Sequence, residues 1–382
     1  MSKPDACLPA MIIATLCTPG PDMSASSNSS HPLADNATSA APLEALPLFD
    51  RIRATLLEDH GPVGLDMAGD VTSRALVPPE RICKGYIQAK ADGVLCGVNL
   101  LPLIFEQAEE LVCAQAQNRA ADLAEAEEKA RAGKMAWPEF ETLAQSARDA
   151  AFKVKILRKD GDKVTKGDRV AELEGGAQVM LFGERTALNL ICHLSGISTQ
   201  TSRFVLAVAG TKARIVDTRK TLPLWRDLEK YAVKCGGGEN HRRGLYDMVL
   251  IKDNHLALWG NDDPAGAVSA AKSRFPKLPV MVEIVDLPGL ARVCRAGAPE
   301  YVLLDNFTPA RMKEAVQWCE EFYKTRPGRP LLEASGGITL ETVRAFAETG
   351  VDRISVGALT HSVRALDLSL EILPGTPWEM KL

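Results

Sequence analysis

Six short apolar runs in the second half of the chain, each followed by a segment of helical character, constrain the fold more than any other feature. The runs are rich in β-branched residues and are separated by roughly 20 to 35 residues, a length that suits helical crossovers. They are Ile215–Val216, Met248–Ile251, Val280–Ile284, Tyr301–Leu304, Leu331–Ala334 and Arg353–Val356. This alternation predicts an α/β fold with six parallel strands.

Almost every run ends in charged, polar or glycine residues. These ends are Asp217 to Lys220, Lys252 to Asn254, Glu283, Asp305-Asn306, Ser335 to Gly337, and Gly357. One such end often marks only a strand that leaves the core for water. In an α/β barrel, however, all the carboxyl ends share one rim, where barrel enzymes place their chemistry. Six in succession therefore predict a site at that rim.

Positive charge is concentrated between residues 214 and 252. This segment has nine Lys or Arg against five Asp or Glu, a balance of +4, whereas the whole chain of 382 residues carries −4. Arg219 and Lys220 are adjacent cations, which repel each other unless an anion lies between them. A basic island in an acidic protein predicts a compact anionic ligand, because a nucleic-acid binder spreads its positive charge over a face.

Two carboxylates and two glycine-containing turns suggest the remaining ligands. Glu283 and Asp305 are either solvated side chains or ligands for a hard divalent cation such as Mg²⁺. The SGG sequence at Ser335, Gly336 and Gly337, with Gly357 in the last unit, predicts backbone N–H groups at helix N-termini that hold a phosphate. Asp217 is interpreted as structural and His361 as a packed or capping histidine.

The first half of the chain predicts a smaller α/β domain. Residues 1–45 are expected to be a disordered extension, and 46–184 a domain that begins with a helix from Pro47 to Gly61. Two strands are predicted to join at Asp92-Gly93, and a hairpin to occupy 153–174. The Ala/Glu-rich segment 118–149 is predicted to be a helical insertion, broken at Gly133 and Pro138.

Cysteine usage and hydropathy bear on the compartment. Nine cysteines without a C-x-x-C pair argue against a disulfide framework and a zinc site, and they predict a cytoplasmic protein. The apolar run from Leu8 to Cys17 is too short to span a bilayer, so no membrane partner is expected.

The motifs around these residues resemble one enzyme family, the quinolinate phosphoribosyltransferases. The resemblance is carried by RTALN at 185–189, DTRKT at 217–221, NHR at 240–242, GLYDMVLIKDNH at 244–255, LLDNF at 303–307, EASGGI at 333–338 and SVGALTHS at 355–362. It implies an N-terminal α/β sandwich over 46–184, an incomplete six-stranded barrel over 185–361, and a segment 362–382 that returns to the N-terminal domain. The family often has glycine after the proline that follows DTRKT, where this chain has Leu224.

The resemblance also implies roles for individual residues. Quinolinate is expected to contact Arg185, Arg219, His241, Arg242 and Lys252, with Arg185 supplied by the partner subunit of a homodimer or an assembly of dimers. Phosphoribosyl pyrophosphate is expected to contact Lys220, Glu283, Asp305, Ser335, Gly336, Gly337 and Gly357, with Mg²⁺ near Glu283 and Asp305. The residues expected to act in catalysis are Lys220, Lys252, Glu283 and Asp305.

The implied reaction converts quinolinate and phosphoribosyl pyrophosphate into nicotinate mononucleotide, pyrophosphate and CO₂. Three alternatives remain open from the sequence. One is a related pyridine phosphoribosyltransferase, and another is the molybdenum-transport-associated paralogue, which would bind a phosphosugar without turnover. The third is a Schiff-base enzyme that uses Lys252.

Overall fold

The computed structural model describes residues 47–61, 69–112, 114–260 and 263–373. The extension predicted over 1–45 lies outside these residues. The described chain forms two compact units. The first draws on residues 47–83, 101–154 and 173–184, and the second on 84–100, 155–172 and 185–373.

Among the described residues, five helices lie wholly in the first unit. They are α1 (Leu48–His60), α2 (Val71–Leu76), α3 (Leu101–Val112), α4 (Ala114–Arg131) and α5 (Trp137–Ala150). The predicted first helix is confirmed: Ile52 and Leu56, one turn apart, are fully buried. It ends at Gly61, whose φ of 75° is favourable for glycine and whose N–H donates to the carbonyl of Leu57 at 3.0 Å.

The helical character predicted for 118–149 is confirmed, and so is its interruption, which covers residues 132–136 and ends just before Pro138. The chain leaves α4 after Arg131 and turns at Gly133, which has a φ of 68°. Pro138 is the second residue of α5. Proline is tolerated in the first turn, where its missing N–H would have no helical partner.

An antiparallel pairing organises the smaller sheet. Its strands are β1 (Ile82–Ala89), β3 (Lys153–Ile156), β5 (Arg169–Gly176) and β12 (Leu368–Leu373), in the order β12-β1-β5-β3. The C-terminal strand β12 pairs with β1 from Lys84 opposite Leu373 to Ala89 opposite Leu368. Strand pairing therefore brings the end of the described chain back to an early strand.

The predicted local hairpins do not form as expected. Strand β2 (Gly93–Val94) pairs with β4 (Lys163–Val164) and not with β1, which precedes it in the chain. Within 153–174, β3 and β5 are neighbours, while β4 between them leaves to pair with β2. Alternation identified these strands, but their partners are set by contacts distant in sequence.

The parallel sheet of the second unit confirms the six predicted strands. They are β6 (Arg214–Val216), β7 (Val249–Ile251), β8 (Val280–Ile284), β9 (Tyr301–Asp305), β10 (Leu331–Ser335) and β11 (Arg353–Ser355). Their order is β6-β11-β10-β9-β8-β7, with β6 and β7 at the two edges. The barrel is therefore incomplete, as predicted.

Eight helices accompany this sheet or lead into it. They are α6 (Ala177–Ala207), α7 (Arg226–Cys235), α8 (Asp253–Trp259), α9 (Pro264–Arg274), α10 (Leu287–Arg295), α11 (Pro309–Tyr323), α12 (Val343–Ala347) and α13 (Ala358–His361). Helices α9, α10 and α11 each have a capping side chain, from Asp263, Asp286 and Thr308, and a proline in their first two positions. These caps satisfy N–H groups that have no helical partner.

Alternation along the parallel strands separates a face that packs in the core from a face that borders a cavity. On β10, Leu332 and Ala334 are fully buried in the core, whereas Ser335 and the equally buried Glu333 line a cavity. Met248, Met281, Tyr301 and Leu303 form a buried apolar cluster, with Leu250 and Leu331 packed against it. Two of these residues, Leu250 and Leu303, also line the cavity.

Candidate active site

A cavity of about 620 Å³ opens among the residues that follow the carboxyl ends of the parallel strands. This volume is typical of small-molecule sites. Ten of the predicted site residues line it: Arg219, Lys220, His241, Arg242, Lys252, Asp305, Ser335, Gly336, Gly337 and Gly357. The structure therefore brings together residues that lie up to 138 positions apart in the sequence.

Two predicted residues lie outside the lining of this cavity. Glu283 is one side chain away, because its Oε2 accepts a hydrogen bond from Lys252 Nζ at 2.8 Å. Arg185 is an exposed residue of α6. Within one chain the cavity is therefore formed without Arg185.

A buried ion pair supports the loop that carries His241 and Arg242. Asp217, fully buried at the end of β6, accepts hydrogen bonds from Lys230, from Asn240 Nδ2 at 2.6 Å and from the N–H of His241 at 2.8 Å. Lys230 also donates to the carbonyl of His241 at 3.0 Å. Asp217 is thus structural, as its sequence position suggested, and it fixes the backbone on which two site residues stand.

The triple glycine before this loop serves packing against a helix. A Cβ at Gly236 would lie 2.4 Å from the carbonyl oxygen of Ser198, and one at Gly238 would lie 2.7 Å from Thr201 Cγ2. Gly237 has a φ of 85°. The glycines allow the loop to approach α6 closely, and none of them lines the cavity.

Two arginines of the cavity repel each other, and Asp247 offsets this only in part. Burial, and then the charge of Arg219, lower the pKa of Arg242. The Nε of Arg219 is buried and has no hydrogen-bond partner within the described part of the chain. A buried donor without a partner is unusual and unfavourable. An anion between these guanidinium groups would satisfy the donor and relieve the repulsion.

His241 connects the rim to a buried carboxylate. Its Nδ1 accepts the N–H of Arg242 at 2.7 Å, so the opposite nitrogen carries the ring hydrogen. That nitrogen, Nε2, lies 3.4 Å from Glu333 Oε1, and the second oxygen of Glu333 lies 3.2 Å from Arg353 Nε. Glu333 is fully buried, yet its interaction with His241 and the charge of Arg353 outweigh desolvation and lower its pKa.

Backbone geometry shapes the candidate phosphate site. Gly336 and Gly337 have φ values of 105° and 58°, which glycine adopts readily. A Cβ at Gly357 would lie 3.0 Å from Lys220 Cδ, so this glycine leaves room for the lysine. The helix expected directly after the SGG sequence is α12, and it begins only at Val343 after a turn. Residues 336 and 337 therefore bend the chain without starting that helix, whereas Gly357 directly precedes α13.

Several cavity residues were missed or set aside in the sequence reasoning. They are Thr218, Leu250, Leu303, Asn306, Glu333, Ser355 and His361. His361 had been interpreted as packed or capping, but it contacts the cavity beside Gly357. Strict alternation from Ser335 would have placed Glu333 on the same face, and from Asp305 it would have placed Leu303 there.

The two carboxylates at the rim, Glu283 and Asp305, can provide only some of the oxygen ligands that a cation needs. A bound substrate would have to provide others. No group of three or more His, Cys, Asp or Glu side chains suited to a metal occurs among the described residues. Glu283 is bonded to Lys252, and Asp305 Oδ2 accepts from Asn306 Nδ2 at 2.6 Å. This set fits Mg²⁺, which commonly uses one or two carboxylates plus substrate phosphates and water.

Family models match most of the described chain. The model for "Quinolinate phosphoribosyl transferase, C-terminal domain" matches residues 197–371, and the corresponding N-terminal domain model matches 136–195. The second match begins inside the segment 118–149 that was predicted to be an insertion. Residues 136–149 are therefore covered by the family model.

Individual relatives agree with these matches. A Mycobacterium leprae protein named "Nicotinate-nucleotide pyrophosphorylase [carboxylating]" is 38% identical over 85% of this chain and 96% of that protein. A Bacillus subtilis protein named as a probable enzyme of the same kind is 37% identical over 83% of this chain and 90% of its own length. The solved nicotinate-nucleotide pyrophosphorylase of Francisella tularensis aligns with a TM-score of 0.68 and 31% identity, covering 85% and 95% of the two chains.

Proposed function

Because this chain belongs to the quinolinate phosphoribosyltransferase family, we propose that it transfers the phosphoribosyl group of phosphoribosyl pyrophosphate to quinolinate. The products are nicotinate mononucleotide, pyrophosphate and CO₂, and the reaction serves NAD biosynthesis. The observation that carries this proposal is the pair of arginines that line the cavity and repel each other, Arg219 and Arg242, with the unpartnered buried Nε of Arg219. A planar dicarboxylate meets the need of these donors for two anionic partners.

The acceptor is assigned to the basic side of the cavity. Arg219, Arg242 and Lys252 hold the two carboxylates of quinolinate, and His241 fixes the backbone N–H of Arg242. Leu250 and Leu303 supply an apolar surface for the pyridine ring, since both line the cavity and belong to the apolar cluster or pack against it. Each charge-assisted hydrogen bond contributes about 1.5 to 3 kcal/mol, which offsets the desolvation of a dianion.

The donor is assigned to the strands that follow. Ser335, Gly336, Gly337 and Gly357 surround the 5-phosphate, with Lys220 beside them. Glu283 and Asp305 stabilise positive charge that develops on the ribose as the ring nitrogen of quinolinate attacks the anomeric carbon. Mg²⁺, held by Glu283 and Asp305 together with the pyrophosphate, supplies charge neutralisation of the leaving group when bound. Lys252 keeps the ring in place during loss of CO₂.

The decisive experiment is incubation with quinolinate, phosphoribosyl pyrophosphate and Mg²⁺. We expect stoichiometric CO₂ and nicotinate mononucleotide. Turnover of nicotinate in place of quinolinate, without CO₂, would instead indicate a related pyridine phosphoribosyltransferase, and phosphosugar binding without turnover would indicate the transport-associated paralogue. A Schiff base at Lys252 is disfavoured because its Nζ is bonded to Glu283, and a nucleophilic lysine must be neutral.

A homodimer, or an assembly of dimers, is also proposed, with Arg185 acting in the partner's site. Support comes from the exposure of Arg185 on α6 and from its absence from the lining of the cavity in its own chain. Mixing an Arg185→Ala variant with a Lys252→Met variant tests this arrangement. Recovery of activity in the mixture supports shared sites, because a mixed dimer contains one intact site, whereas two inactive parents that stay inactive together contradict it.

Cytoplasmic location is proposed from the cysteines. Six described cysteines are free, which is typical of proteins in a reducing compartment. No described helix is both long and apolar enough to cross a bilayer. Fractionation of the native organism's cells, with the protein followed by antibody, tests the location, and recovery with an organelle or with the envelope would contradict it.

A further inference from the structure

The residue after strand β9, Asn306, has an unusual backbone. Its φ is 54°, in the left-handed region, and the only other described non-glycine residue with a positive φ is Leu224. Asparagine tolerates this region better than most residues, although glycine does so without strain. The position is therefore a constrained turn that directly follows Asp305.

Three contacts converge on Asn306. Its side-chain amide Nδ2 donates to Asp305 Oδ2 at 2.6 Å. Its backbone N–H donates to the carbonyl of Ser335 at 2.9 Å. Its Oδ1 lies against Gly336, where an added Cβ would be only 2.2 Å away. Asn306 thus joins the carboxylate at the end of β9 to the glycine turn at the end of β10.

We propose that Asn306 is a positioning residue that holds the Asp305 carboxylate and the turn at 335–337 in one fixed arrangement for the phosphoribosyl donor. The inference rests on the proposed function, because that function assigns Asp305 and the turn to the donor. An amide on Oδ2 restrains rotation of the carboxylate and thereby favours one place for its second oxygen. Pre-set geometry of this kind lowers the reorganisation needed in the transition state.

A role limited to the backbone is the main competing explanation. If only the left-handed turn mattered, glycine would serve at least as well as asparagine, and aspartate nearly as well. The short amide contact and the close approach of Oδ1 to Gly336 instead give the side chain a function of its own. The two explanations therefore predict different orders of activity for the same variants.

The test compares Asn306→Gly, Asn306→Asp and Asn306→Ala with the wild type. The glycine variant keeps the turn and loses the amide, so kcat/KM for phosphoribosyl pyrophosphate should fall about 10- to 100-fold, the loss expected for one charge-assisted hydrogen bond. The KM for quinolinate should change less than about twofold, because its ligands are elsewhere in the cavity. Asn306→Asp should be no better than Asn306→Gly, since it places a second carboxylate beside Asp305.

If the wild type, Asn306→Asp and Asn306→Gly were equally active and only Asn306→Ala were impaired, the proposal would be overturned in favour of the backbone role. The proposal would also be overturned if the KM values for the two substrates changed by the same factor and the unfolding temperature changed with them. Calorimetric binding of phosphoribosyl pyrophosphate with Mg²⁺ gives a second measurement that needs no turnover. Weaker binding by Asn306→Gly, alongside a wild type that fails to release CO₂ from quinolinate, would support the positioning role and refute the proposed function.

Discussion

Two lysines of the basic segment each pair with a carboxylate, and the two pairs differ in access to water. The side chains of Lys230 and Asp217 are 3% and 0% exposed, whereas those of Lys252 and Glu283 are 45% and 11% exposed. Desolvation outweighs attraction in the buried pair, because it raises the pKa of Asp217 and lowers that of Lys230. The same pairing of lysine and carboxylate therefore forms a scaffold where it is buried, and where it is accessible it is the pair that we propose contacts the substrate.

The buried pair is held by additional hydrogen bonds. Asp217 receives the N–H of His241 and the amide of Asn240, and Lys230 donates to the carbonyl of His241. Removing one partner leaves the other as a buried, uncompensated charge, which is strongly destabilising. A partly exposed pair can be rehydrated after the same change.

The largest expected effect is on stability. Lys230→Met should lower the free energy of unfolding by about 3 to 5 kcal/mol, because Asp217 stays buried without its cation. The matched change Lys252→Met should lower it by less than about 1 kcal/mol. Urea denaturation of both variants measures the difference. Equal losses would show that burial does not separate the two pairs.

The double variant Asp217→Asn/Lys230→Met sharpens this result. It removes both charges and leaves one amide oxygen to accept the N–H of His241, whereas an amide nitrogen cannot accept the hydrogen bond from Asn240 Nδ2. We therefore expect it to be more stable than Lys230→Met alone, since no isolated charge remains. A double variant that is less stable than the single one would mean that the charges themselves hold the loop.

The second effect is on activity, and here the larger change is expected at the exposed pair, Lys252 and Glu283. Lys252→Met should lower kcat/KM by about 10²- to 10³-fold, the usual loss for one electrostatic group in an active site. The fold should be retained, because the stability change is small. Steady-state kinetics with both substrates varied, and circular dichroism as the folding control, measure this. Near-normal turnover would remove Lys252 from the site.

Much of this arrangement could be predicted, for a physical reason. The strand predicted at Val280–Ile284 coincides with β8, because strands buried on both faces are continuous apolar runs bounded by polar residues. Ten site residues were also brought to one cavity, since parallel strands place their carboxyl ends on one side. The local sequence is therefore sufficient to predict the parallel strands and their polar ends.

Other features depend on contacts that local sequence does not encode. Strand β2 pairs with β4, which lies about 70 residues later in the chain. The alternating sequence around Asp92 does not indicate whether β2 pairs with β4 or with β1. Glu333 was overlooked because an acidic residue inside an apolar run resembles an exposed position. Its burial depends on His241 and Arg353, which come from other elements.

Glu333 gives the third prediction, since it is a buried carboxylate that lines the cavity. Its pKa is lowered below the ordinary 4.5, so its contribution to stability is complete above that pH and is lost as the pH falls through the lower folded value. Glu333→Gln should therefore show a shallower acid limb, by at most about 1.4 kcal/mol per pH unit. Unfolding free energies between about pH 3 and pH 6 measure it. Parallel curves for variant and wild type would refute the assignment.

The smallest expected effect concerns the segment that joins the two partners of the buried pair. Leu224 lies between Asp217 and Lys230 with a φ of 66°, and its side chain is 65% exposed. Left-handed backbone costs a leucine about 1 to 2 kcal/mol, while glycine lacks this strain but loses about 0.4 to 1 kcal/mol through the greater freedom of the unfolded chain. Leu224→Gly should therefore stabilise the protein by about 0.5 to 1 kcal/mol, whereas Leu222→Gly, which relieves no such strain, should destabilise it. If urea denaturation instead gave a loss for both variants, the contacts of Leu224 would outweigh its backbone strain. A gain confined to Leu224→Gly would show that the buried pair holds this segment in a conformation that leucine itself disfavours.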